Sequence, residues 1–309
     1  MNEKNNIAVI DLGSNNCRLS IFQIIGEKKH KILHNSSEIL NLGKNLTYNN
    51  EFSENTIFKT LRAFRAIKKK LLIYDVEKYR CIATEACRQA INTDSLVKKV
   101  FEETNIKIEV ISTNEEAKLC LNSCLTFNKS GMDFNLVFDI GGGSTEIIYI
   151  QNKNYENLKN FEFISLPYGV INLSEKIELG SKENIVDKIL NQLLFFRNKL
   201  ELSNKKINAI GSCGTMTSIC AIYQNLNYYN KSLVDQYIMQ DQEIDNVIES
   251  IKQMTRNEKS NHPLIGTKKI ELLNNGIMIF ELISKSFIFK NLLISDRGLR
   301  EGMIKEFYS

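Results

Sequence analysis

The sequence Leu136-Val-Phe-Asp-Ile-Gly-Gly-Gly-Ser-Thr-Glu-Ile-Ile-Tyr-Ile150 joins two short apolar runs through three consecutive glycines. Such runs are typical of two β-strands joined by a tight turn. Glycines let the backbone approach a ligand closely, and successive N–H groups in such a turn can form an anion-binding nest. Asp139 ends the first run and Glu146 follows the loop, so two carboxylates lie beside the nest. The stretch predicts a metal–phosphate site. The alternative is a glycine-rich hairpin with incidental acidic residues.

A second copy of this pattern lies near the start of the chain. Asp11 follows an apolar run there, and Gly13-Ser14-Asn15 forms the loop before the next apolar run. At a fixed offset between the two segments, Asp11 matches Asp139, and Arg18 falls where Glu146 falls. The repeat predicts two half-molecules that each carry one phosphate-loop hairpin.

Length and composition predict a two-domain globular protein. The chain has 309 residues, of which 43% are hydrophobic, and its net charge is +4. This length exceeds what one hydrophobic core usually supports. We expect domains at residues 1–128 and 129–309, with the boundary in the polar segment Thr126–Phe134. The weak positive charge does not argue for a nucleic-acid partner. No stretch reaches membrane-spanning length and no signal peptide is recognised, so we expect a cytoplasmic protein without a membrane partner.

The cysteines and histidines offer few candidates for chemistry. The seven cysteines form no Cys-x-x-Cys pair, and most lie among apolar residues, which is typical of buried thiols in a reducing compartment. Cys213 lies inside a glycine loop and is a candidate nucleophile, but no histidine is close to it in sequence. His30 and His34 are four residues apart without a third ligand nearby, so we do not expect a zinc site.

Two charged segments have both a structural and a functional interpretation. Arg88 lies in a predicted strand-to-helix turn, where it is either a bidentate anion ligand or an ordinary surface arginine. Asn114 is a predicted N-cap, and Glu115 and Glu116 fall in the helical turn that follows. Acidic residues stabilise a helix N-terminus by about 0.3–1 kcal/mol. The pattern therefore does not decide between a capping role and a general base.

Strands alternate with helices along the chain. Ser53 is the predicted N-cap of a helix that runs to about Ile73. The predicted strand Ile207–Ile210 leads into a third glycine loop, Gly211–Thr215, which opens a helix and is therefore a ready anion site. Further strands are predicted near Lys31–Asn35 and at Tyr79–Thr84, Lys107–Ile111, Phe161–Leu166 and Asn291–Ile294, with helices near Asp94–Glu103, Glu183–Leu202, Asp241–Met254 and Ile270–Ser284. This pattern indicates an α/β protein that handles phosphate, and neither a P-loop nor a dinucleotide-binding fingerprint occurs in it.

Five segments in this order closely resemble the exopolyphosphatase/guanosine pentaphosphate phosphohydrolase (Ppx/GppA) family. They are Asp11–Asn15, Glu115–Ala117, Asp139–Glu146, Gly211–Thr215 and Ser295–Gly302. The resemblance covers essentially the whole chain and is to the short members of the family. It implies an α/β fold with two ribonuclease-H-like domains of the actin-like ATPase superfamily around a central cleft.

The resemblance also implies a role for each matched residue. Glu116 is expected to be the base that draws a proton from water, and Glu146 to orient that water or a metal ion. Asp139 is the expected Mg²⁺ ligand. The expected phosphate contacts are Gly13, Ser14, Asn15, Arg88, Gly142, Gly143, Ser144, Thr145, Gly214 and Thr215.

The activity that the resemblance implies is hydrolysis of a terminal phosphoanhydride, with inorganic polyphosphate as the expected substrate. Guanosine pentaphosphate is the alternative substrate. A non-catalytic regulator that binds guanosine penta- or tetraphosphate is an alternative of another class, and a sugar kinase is a weaker one. The implied cofactor is Mg²⁺, the family also allows a monovalent cation such as K⁺, and it suggests a homodimer.

Three positions depart from the family pattern. Thr113 stands for the usual glycine, Lys118 for the usual arginine, and Lys269-Ile270-Glu271 for an Arg-Ala-Asp pattern before Gly276. Lysine does not replace arginine at a bidentate phosphate contact. These changes leave the proposed base and loops intact and bear on how the substrate is held.

Overall fold

The computed structural model describes residues 5–27, 29–124, 127, 132–152, 158, 160–200, 202 and 206–308. The chain forms two compact units, of which the first contains Met1–Leu119 and Leu299–Ser309 and the second contains Cys120–Gly298. The predicted domain ranges, 1–128 and 129–309, place the C-terminal segment Leu299–Ser309 in the second domain. These ranges stay a prediction. The boundary segment predicted at Thr126–Phe134 lies largely outside the described residues. Over the described ranges, no helix combines the length and the apolar character that a membrane crossing requires.

The first unit is built on a five-stranded sheet of order β3-β2-β1-β4-β5. Its strands are β1 (Asn6–Leu12), β2 (Asn16–Gly26), β3 (Lys29–Ile39), β4 (Lys78–Ala83) and β5 (Glu109–Val110). The pairs β1–β2 and β2–β3 are antiparallel, whereas β1–β4 and β4–β5 are parallel. The middle strand, β1, is buried along its whole length. A strand covered on both faces has a continuous apolar run rather than an alternating one.

Helices cover both faces of this sheet. They are α1 (Leu46–Asn49), α2 (Glu54–Ile73), α3 (Glu85–Gln89), α4 (Thr93–Thr104), α5 (Thr113–Ser123) and the C-terminal helix (Leu299–Glu306). Successive side chains of β1 point to opposite faces. Ile10 packs into one core with Phe64 of α2, and Val9 packs into another with Leu119 of α5 and Met303 of the C-terminal helix. The C-terminal helix therefore completes the first unit.

The second unit contains a six-stranded sheet of order β10-β11-β9-β6-β7-β8. Its strands are β6 (Phe134–Ile140), β7 (Thr145–Gln151), β8 (Glu162–Leu166), β9 (Ile207–Gly211), β10 (Ile238–Gln240) and β11 (Asn291–Ile294). Its helices are α6 (Asn172–Leu179), α7 (Lys182–Lys199), α8 (Gly214–Tyr223), α9 (Lys231–Val234), α10 (Asp241–Gln253), α11 (Arg256–Asn261) and α12 (Gly266–Ser286). Phe138 of β6 shares one core with Ile189 of α7, Ile219 of α8 and Phe280 of α12.

The two sheets repeat one arrangement, as the sequence predicts. β6 pairs with β7 in antiparallel and with β9 in parallel, just as β1 pairs with β2 and β4. Asp11 lies opposite Arg18 in the first hairpin, and Asp139 lies opposite Glu146 in the second. The residues that the sequence repeat matches therefore occupy equivalent positions in the two hairpins.

Two local predictions differ from the structure. The strand predicted at Lys107–Ile111 is only Glu109–Val110, because the N–H of Lys107 leaves the ladder and donates to the Tyr79 hydroxyl at 3.0 Å. The predicted N-cap Asn114 is wrong, since α5 begins one residue earlier and the Ser112 hydroxyl accepts the Glu115 N–H at 3.2 Å. The other predicted cap is confirmed, because Ser53 accepts from the N–H of Thr56 at 3.2 Å.

Candidate active site

The second glycine loop, Gly141–Ser144, connects β6 to β7. The N–H of Gly141 donates to the carbonyl of Ser144 at 2.9 Å and closes the turn. Among the described residues, no acceptor is bonded to the N–H groups of Gly142, Gly143 and Ser144. Three successive N–H groups in a tight turn are the donors of an anion-binding nest. The loop can therefore bind a phosphate group through its main chain.

The segment Gly169–Asn172, which follows β8, holds this loop from behind. Its donors bind the carbonyls of the three loop glycines, at 2.9 Å for Val170 N–H to Gly141, 2.8 Å for Ile171 N–H to Gly142 and 2.7 Å for the Asn172 side-chain amide to Gly143. A Cβ atom on Gly169 would lie 2.4 Å from the carbonyl carbon of Gly142, so only glycine fits there. Because the carbonyls turn toward this segment, the loop N–H groups are left for a ligand.

The carboxylates of Asp139 and Glu146 lie at the base of the loop. These residues are directly opposite each other in the β6–β7 ladder, and the Cβ atoms of such pairs are about 4.5–5.5 Å apart on one face of the sheet. Glu146 is 2% exposed, and the Ser165 hydroxyl on β8 donates to its Oε1 at 2.8 Å. Asp139 is partly exposed at the end of its strand.

This pair of carboxylates fits Mg²⁺. Proteins usually bind Mg²⁺ through one or two carboxylates, and water and substrate phosphates supply the other ligands. A cluster of three or more metal-ligating side chains is not found within the described ranges. Asp139 and Glu146 would therefore hold the ion together with oxygens of the substrate.

The first glycine loop, Gly13–Asn15, has the same turn and the same kind of support. The N–H of Gly13 donates to the carbonyl of Asn16 at 3.0 Å, as Gly141 does in the second loop. The segment after β3 binds the loop carbonyls, at 2.8 Å for Gly43 N–H to Ser14 and 2.9 Å for both Leu40 N–H and Asn41 N–H to Asn15. In the part of the chain that the structure describes, no acceptor is bonded to the N–H groups of Ser14 and Asn15.

The charges beside the first loop differ from those beside the second. Arg18 Nη1 lies 3.5 Å from Asp11 Oδ2, so a guanidinium stands where the second hairpin has Glu146. Burial raises the pKa of the Asp11 carboxyl above its ordinary value, although the charges of Arg18 and Arg300 act in the opposite direction. A cation already occupies the position of the second carboxylate. The first hairpin therefore lacks the donor pair that suits a metal ion.

The structure brings Glu116 and Arg88 together within the first unit. Arg88 Nη2 lies 2.8 Å from Glu116 Oε2 and 2.9 Å from Glu85 Oε2. Its Nε donates to Glu85 at 3.2 Å, and its Nη1 donates to the carbonyl of Ile111 at 3.0 Å. Three N–H groups of the guanidinium donate hydrogen bonds, to Glu85 and to the Ile111 carbonyl, and the contact with Glu116 is an ion pair. Arg88 therefore lies between two carboxylates and holds a positive charge against Glu116.

Glu116 is more buried than a helix-capping role requires. It is 7% exposed, whereas a residue that only stabilises a helix N-terminus can remain in solvent. Burial of the Arg88 guanidinium works against its charge, but Glu116 and then Glu85 outweigh this effect and raise the pKa of Arg88 above its ordinary value.

In each unit the candidate residues lie at one edge of the sheet, the edge at which the parallel strands end. In the first unit, the first glycine loop follows β1, the helix of Arg88 follows β4 and the helix of Glu116 follows β5. The strand ends are in register, since Ile111 N–H donates to the Ala83 carbonyl at 3.0 Å. Ligands of open α/β sheets bind at this edge.

The third glycine loop lies at the corresponding edge of the second unit. Ser212 N–H donates to the Phe138 carbonyl at 2.9 Å, which places the start of α8 beside the second loop. Thr215 is 6% exposed in the first turn of α8. A Cβ atom on Gly276 would lie 2.1 Å from Thr215 Oγ1, so α12 packs directly against this turn. This contact explains why a glycine follows the Lys269-Ile270-Glu271 segment.

The candidate nucleophile Cys213 is a poor one in this setting. Its side chain is 6% exposed at the N-cap of α8. Burial, with a smaller contribution from the charge of Asp139, raises the pKa of the thiol to about 12. The thiol is therefore protonated at neutral pH and is not the nucleophilic thiolate. All seven cysteines are buried and free of disulfides, as predicted.

The structure gives Thr145 a structural partner. This residue is fully buried, and its hydroxyl donates to the carbonyl of Tyr168 at 2.7 Å. Thr145 was predicted to contact phosphate, but in the structure its hydroxyl hydrogen is donated to Tyr168, in the connection that follows β8. Gly142, Gly143 and Ser144 keep their N–H groups for that purpose.

Sequence reasoning missed the residues that support the site from behind. Glu85, Gly43, Gly169 and Asn172 carry no ligand-binding signal of their own, and their partners are distant in sequence. The Pro167-x-Gly169 pattern after a strand was the one visible sign. Gly302 is another such residue, since a Cβ atom on it would lie 2.1 Å from the Leu119 carbonyl oxygen. That close contact seats α5, and hence Glu116, on the C-terminal helix.

The fold and the donors define an α/β protein of two units, with glycine loops whose N–H groups can receive an anion and with a carboxylate pair in the second unit. The Ppx/GppA phosphatase family matches residues 20–308, and the chain belongs to this family. The predicted family is thus confirmed. The predicted enzyme class, a phosphoanhydride hydrolase, and the predicted α/β fold of two actin-like domains are confirmed with it. The predicted central cleft stays a prediction.

Three relatives illustrate the range of the family. The chain is 30% identical to a bifunctional 3-dehydroquinate synthase/phosphatase of Fusobacterium nucleatum, over 98% of the chain and 47% of that protein, so it spans about half of that relative. It is 22% identical to exopolyphosphatase 2 of Mycobacterium tuberculosis, over 96% of the chain and 97% of that protein. It is 23% identical to a guanosine-5'-triphosphate,3'-diphosphate pyrophosphatase of Photobacterium profundum, over 98% of the chain and 59% of that protein.

A solved structure is also similar over nearly the whole length of both chains. The crystal structure of the Aquifex aeolicus member of the Ppx/GppA family has a TM-score of 0.79 and 27% sequence identity to this chain. The match covers 98% of this chain and 97% of that one.

Proposed function

We propose that the protein is an exopolyphosphatase, which hydrolyses the terminal phosphoanhydride of inorganic polyphosphate. The observation that carries this proposal is the second hairpin, where three successive N–H groups and the Asp139–Glu146 pair lie at one strand end. A terminal phosphate needs donors for its oxygens and neutralisation of its charge, and this hairpin offers the groups for both. The relative from Mycobacterium tuberculosis, which matches the chain along almost the whole of both sequences, is named an exopolyphosphatase.

In the proposed reaction, the oxygen of a water molecule forms a bond to the terminal phosphorus. The bridging P–O bond breaks, and the bridging oxygen leaves with the shortened chain. Glu116, oriented by Arg88, accepts the proton that the water loses. Phosphoryl transfer needs positioning and charge stabilisation rather than covalent work by the protein. A positioned base contributes about 10²–10⁴-fold to such a rate.

The loops hold the phosphate in this proposal. Gly142, Gly143 and Ser144 donate main-chain N–H groups to its oxygens, and Gly214 with Thr215 adds the start of α8. Ser14 and Asn15 offer equivalent donors from the first unit. Bound Mg²⁺ would neutralise phosphate charge, with Asp139 and Glu146 as its protein ligands. A role for K⁺, assembly as a homodimer and a cytoplasmic location remain expectations of the proposal.

A substrate panel tests the proposal. Purified protein is incubated with Mg²⁺ and either long-chain polyphosphate or guanosine pentaphosphate, and released phosphate is measured. We expect release from polyphosphate at the higher kcat/KM. A preference for guanosine pentaphosphate would replace the proposed substrate. No release from either, together with tight binding of guanosine tetraphosphate, would favour the regulator.

A further inference from the structure

Two adjacent cavities lie beside α12 in the second unit. Gly276 on α12 faces Thr215, whereas Glu271, Asn274 and Glu281 recur at helical spacing and line the cavities. Residues three or four apart share one face of a helix. The cavities therefore lie on a different face of α12 from the one that packs on the third glycine loop. We call the two cavities together the α12 groove.

The α12 groove lies behind the second glycine loop. Asn275 lines the groove, and its side-chain amide donates to the Val170 carbonyl at 3.0 Å. The Val170 N–H in turn donates to the Gly141 carbonyl at 2.9 Å. The groove is thus on the side of the loop that the carbonyls face, away from the N–H groups that can receive an anion. A ligand in the groove would touch the support of the loop and not the phosphate that the loop binds.

The groove is large enough for a small organic ligand. Its two cavities have volumes of about 520 Å³ and 560 Å³, and both are lined by Lys259, Asn274 and Asn275. Ligand pockets commonly have volumes of about 300–1,000 Å³. Since the two cavities share a wall, one molecule can place its two ends in different surroundings.

One of the cavities is cationic. It is lined by Lys182, Lys252, Lys259 and Lys285, and Glu281 is the one carboxylate among its described lining residues. Lys252 forms an ion pair with Glu281. Three ammonium groups therefore remain without a carboxylate in this cavity. A concave surface with such an excess of one charge attracts the opposite one.

Lys259, which both cavities share, indicates that an anion belongs between them. The residue is 8% exposed, and its Nζ donates to the neutral Asn274 Oδ1 at 3.0 Å. No carboxylate within the described ranges forms an ion pair with it. Burying an ammonium group without a counter-charge is costly. A bound anion would supply the missing charge.

The other cavity is suited to the uncharged end of a ligand. Ser174, Thr267 and Asn274 contribute hydroxyl and amide groups to its wall, next to Arg256 and the carboxylate of Glu271. Glu271 is exposed, and in the part of the chain that the structure describes it forms no ion pair. A free carboxylate accepts hydrogen bonds from hydroxyl groups and repels a second anionic group. This cavity therefore favours hydroxyl groups over a further phosphate.

We propose that the α12 groove is an effector site for a phosphorylated sugar, either free or as part of a nucleotide. Its phosphate would lie against Lys259 and the lysines of the cationic cavity, and its sugar hydroxyls would bind Glu271 and Asn274. Lysine ammonium groups bind phosphate as point charges, without the fixed fork of arginine. The binding is independent of the proposed function, whereas the regulation described next rests on it.

Asn275 would carry the effect of the ligand to the second loop. It is 8% exposed, and its amide donates to Ser174 Oγ at 2.9 Å as well as to the Val170 carbonyl. A ligand that contacts Ser174 and Asn275 would stabilise the arrangement that holds Gly141. We therefore expect the occupied groove to tighten phosphate binding by the loop. Coupling between two sites typically changes affinity about 5–150-fold.

The first test compares two double variants. K182Q/K285Q removes one exposed groove lysine from α7 and one from α12, whereas K188Q/K290Q removes an exposed lysine of α7 and the exposed lysine after α12, both outside the groove. Binding of ribose 5-phosphate and of AMP is measured by titration calorimetry in EDTA. We expect K182Q/K285Q to weaken this binding about fivefold or more, since each exposed charge pair contributes modestly. K188Q/K290Q should bind as the wild type does.

The two ligands distinguish the source of the sugar phosphate. Equal affinities would identify the sugar phosphate itself, and tighter binding of AMP would identify a nucleotide. Binding of neither ligand by the wild type at millimolar concentration would overturn the proposal. An equal loss in the two double variants would overturn it too, because the effect would then be one of total charge.

Glu271→Ala separates recognition of the sugar from attraction of any anion. This change removes a negative charge and a hydrogen-bond acceptor from the groove. We expect binding of ribose 5-phosphate or AMP to weaken about threefold or more, since the hydroxyl contact is lost. Binding of inorganic phosphate should stay the same or become tighter. Tighter binding of the sugar phosphates by Glu271→Ala would show that Glu271 only repels anions and would contradict the assigned orientation.

The regulatory part is tested by titrating tripolyphosphate in EDTA, with and without saturating AMP. We expect AMP to tighten tripolyphosphate binding about fivefold or more in the wild type and to have no effect in Asn275→Ala. Weaker binding with AMP would show competition at the loops and overturn the effector assignment, and an unchanged affinity would overturn the coupling. None of these measurements involves turnover. A protein that releases phosphate from polyphosphate but binds no sugar phosphate would therefore contradict this inference alone, and the reverse result would contradict the proposed function alone.

Discussion

The two hairpins of this protein share a register and a turn but differ in one charge. Gly13 and Gly141 close equivalent turns, and a segment after the third strand holds the loop carbonyls in both units. Across the ladder, the first hairpin pairs Asp11 with Arg18, whereas the second pairs Asp139 with Glu146. One scaffold thus offers an internally compensated ion pair in one unit and two carboxylates in the other.

This difference teaches how a duplicated element can divide its tasks. Main-chain N–H groups can bind phosphate without a particular side chain, so both loops offer this possibility. A metal site needs specific side chains, and of the two hairpins only the second has the carboxylate pair. In the proposed function, the first unit contributes a buried carboxylate, Glu116, which pairs with Arg88 and lies on a helix outside the hairpin.

The largest expected effect concerns the base that we assign to the first unit. Glu116→Gln keeps the shape of the side chain and removes its proton-accepting charge. We expect kcat for phosphate release from polyphosphate to fall about 10²–10⁴-fold in a variant that is still folded, as circular dichroism would show. The unfolding temperature should fall as well, because Arg88 loses one of its two carboxylate partners. Glu115→Gln, on the neighbouring position of α5, is the matched control and should stay near the wild-type rate. Near wild-type kcat in Glu116→Gln would return this residue to a helix-stabilising role.

A second comparison tests how tightly each loop is supported. A Cβ atom on Gly169 would lie 2.4 Å from the main chain of the second loop, whereas one on Gly43 would lie 3.1 Å from the Ser14 Cβ atom. Overpacking costs about 1–3 kcal/mol. We therefore expect Gly169→Ala to lower the free energy of unfolding by about that amount and to raise KM. Gly43→Ala should cost less than about 1 kcal/mol. Denaturant titration of both variants measures this, and equal losses would contradict the account.

The smallest expected effect concerns the third loop. Cys213→Ala removes a buried, protonated thiol. We expect kcat to change less than about twofold, because a protonated thiol is not a nucleophile. Steady-state phosphate release measures this. Loss of activity in a variant with normal unfolding temperature would revive the covalent alternative.

The sequence predicted the features that depend on local pattern. The duplicated hairpins, the Ser53 cap and β11 follow from apolar periodicity and turn residues, and their positions agree with the structure. The match of Arg18 to Glu146 was visible as well, because the register of a tight hairpin is fixed by its turn.

Other features depend on contacts that periodicity does not encode. Neither the bond from Asn172 to Gly143 nor the contact of Gly302 with Leu119 leaves a trace in local sequence. Asn114 was predicted as a cap because asparagine favours that position, but Ser112 lies at the end of the preceding extended segment and took the role. Glu116 needed its partner Arg88, which is 28 residues away and joins it only in the folded unit.

The Mg²⁺ dependence of phosphate release in Glu146→Gln and Arg18→Gln shows which hairpin binds the metal ion. These variants change opposite-strand residues at equivalent positions of the two hairpins. We predict that Glu146→Gln raises the Mg²⁺ concentration for half-maximal rate at least about tenfold, as loss of support at a metal site does. Arg18→Gln should leave that concentration at the wild-type value. An unchanged Mg²⁺ requirement in Glu146→Gln, or an equal rise in both variants, would contradict the assignment of the metal to the second hairpin.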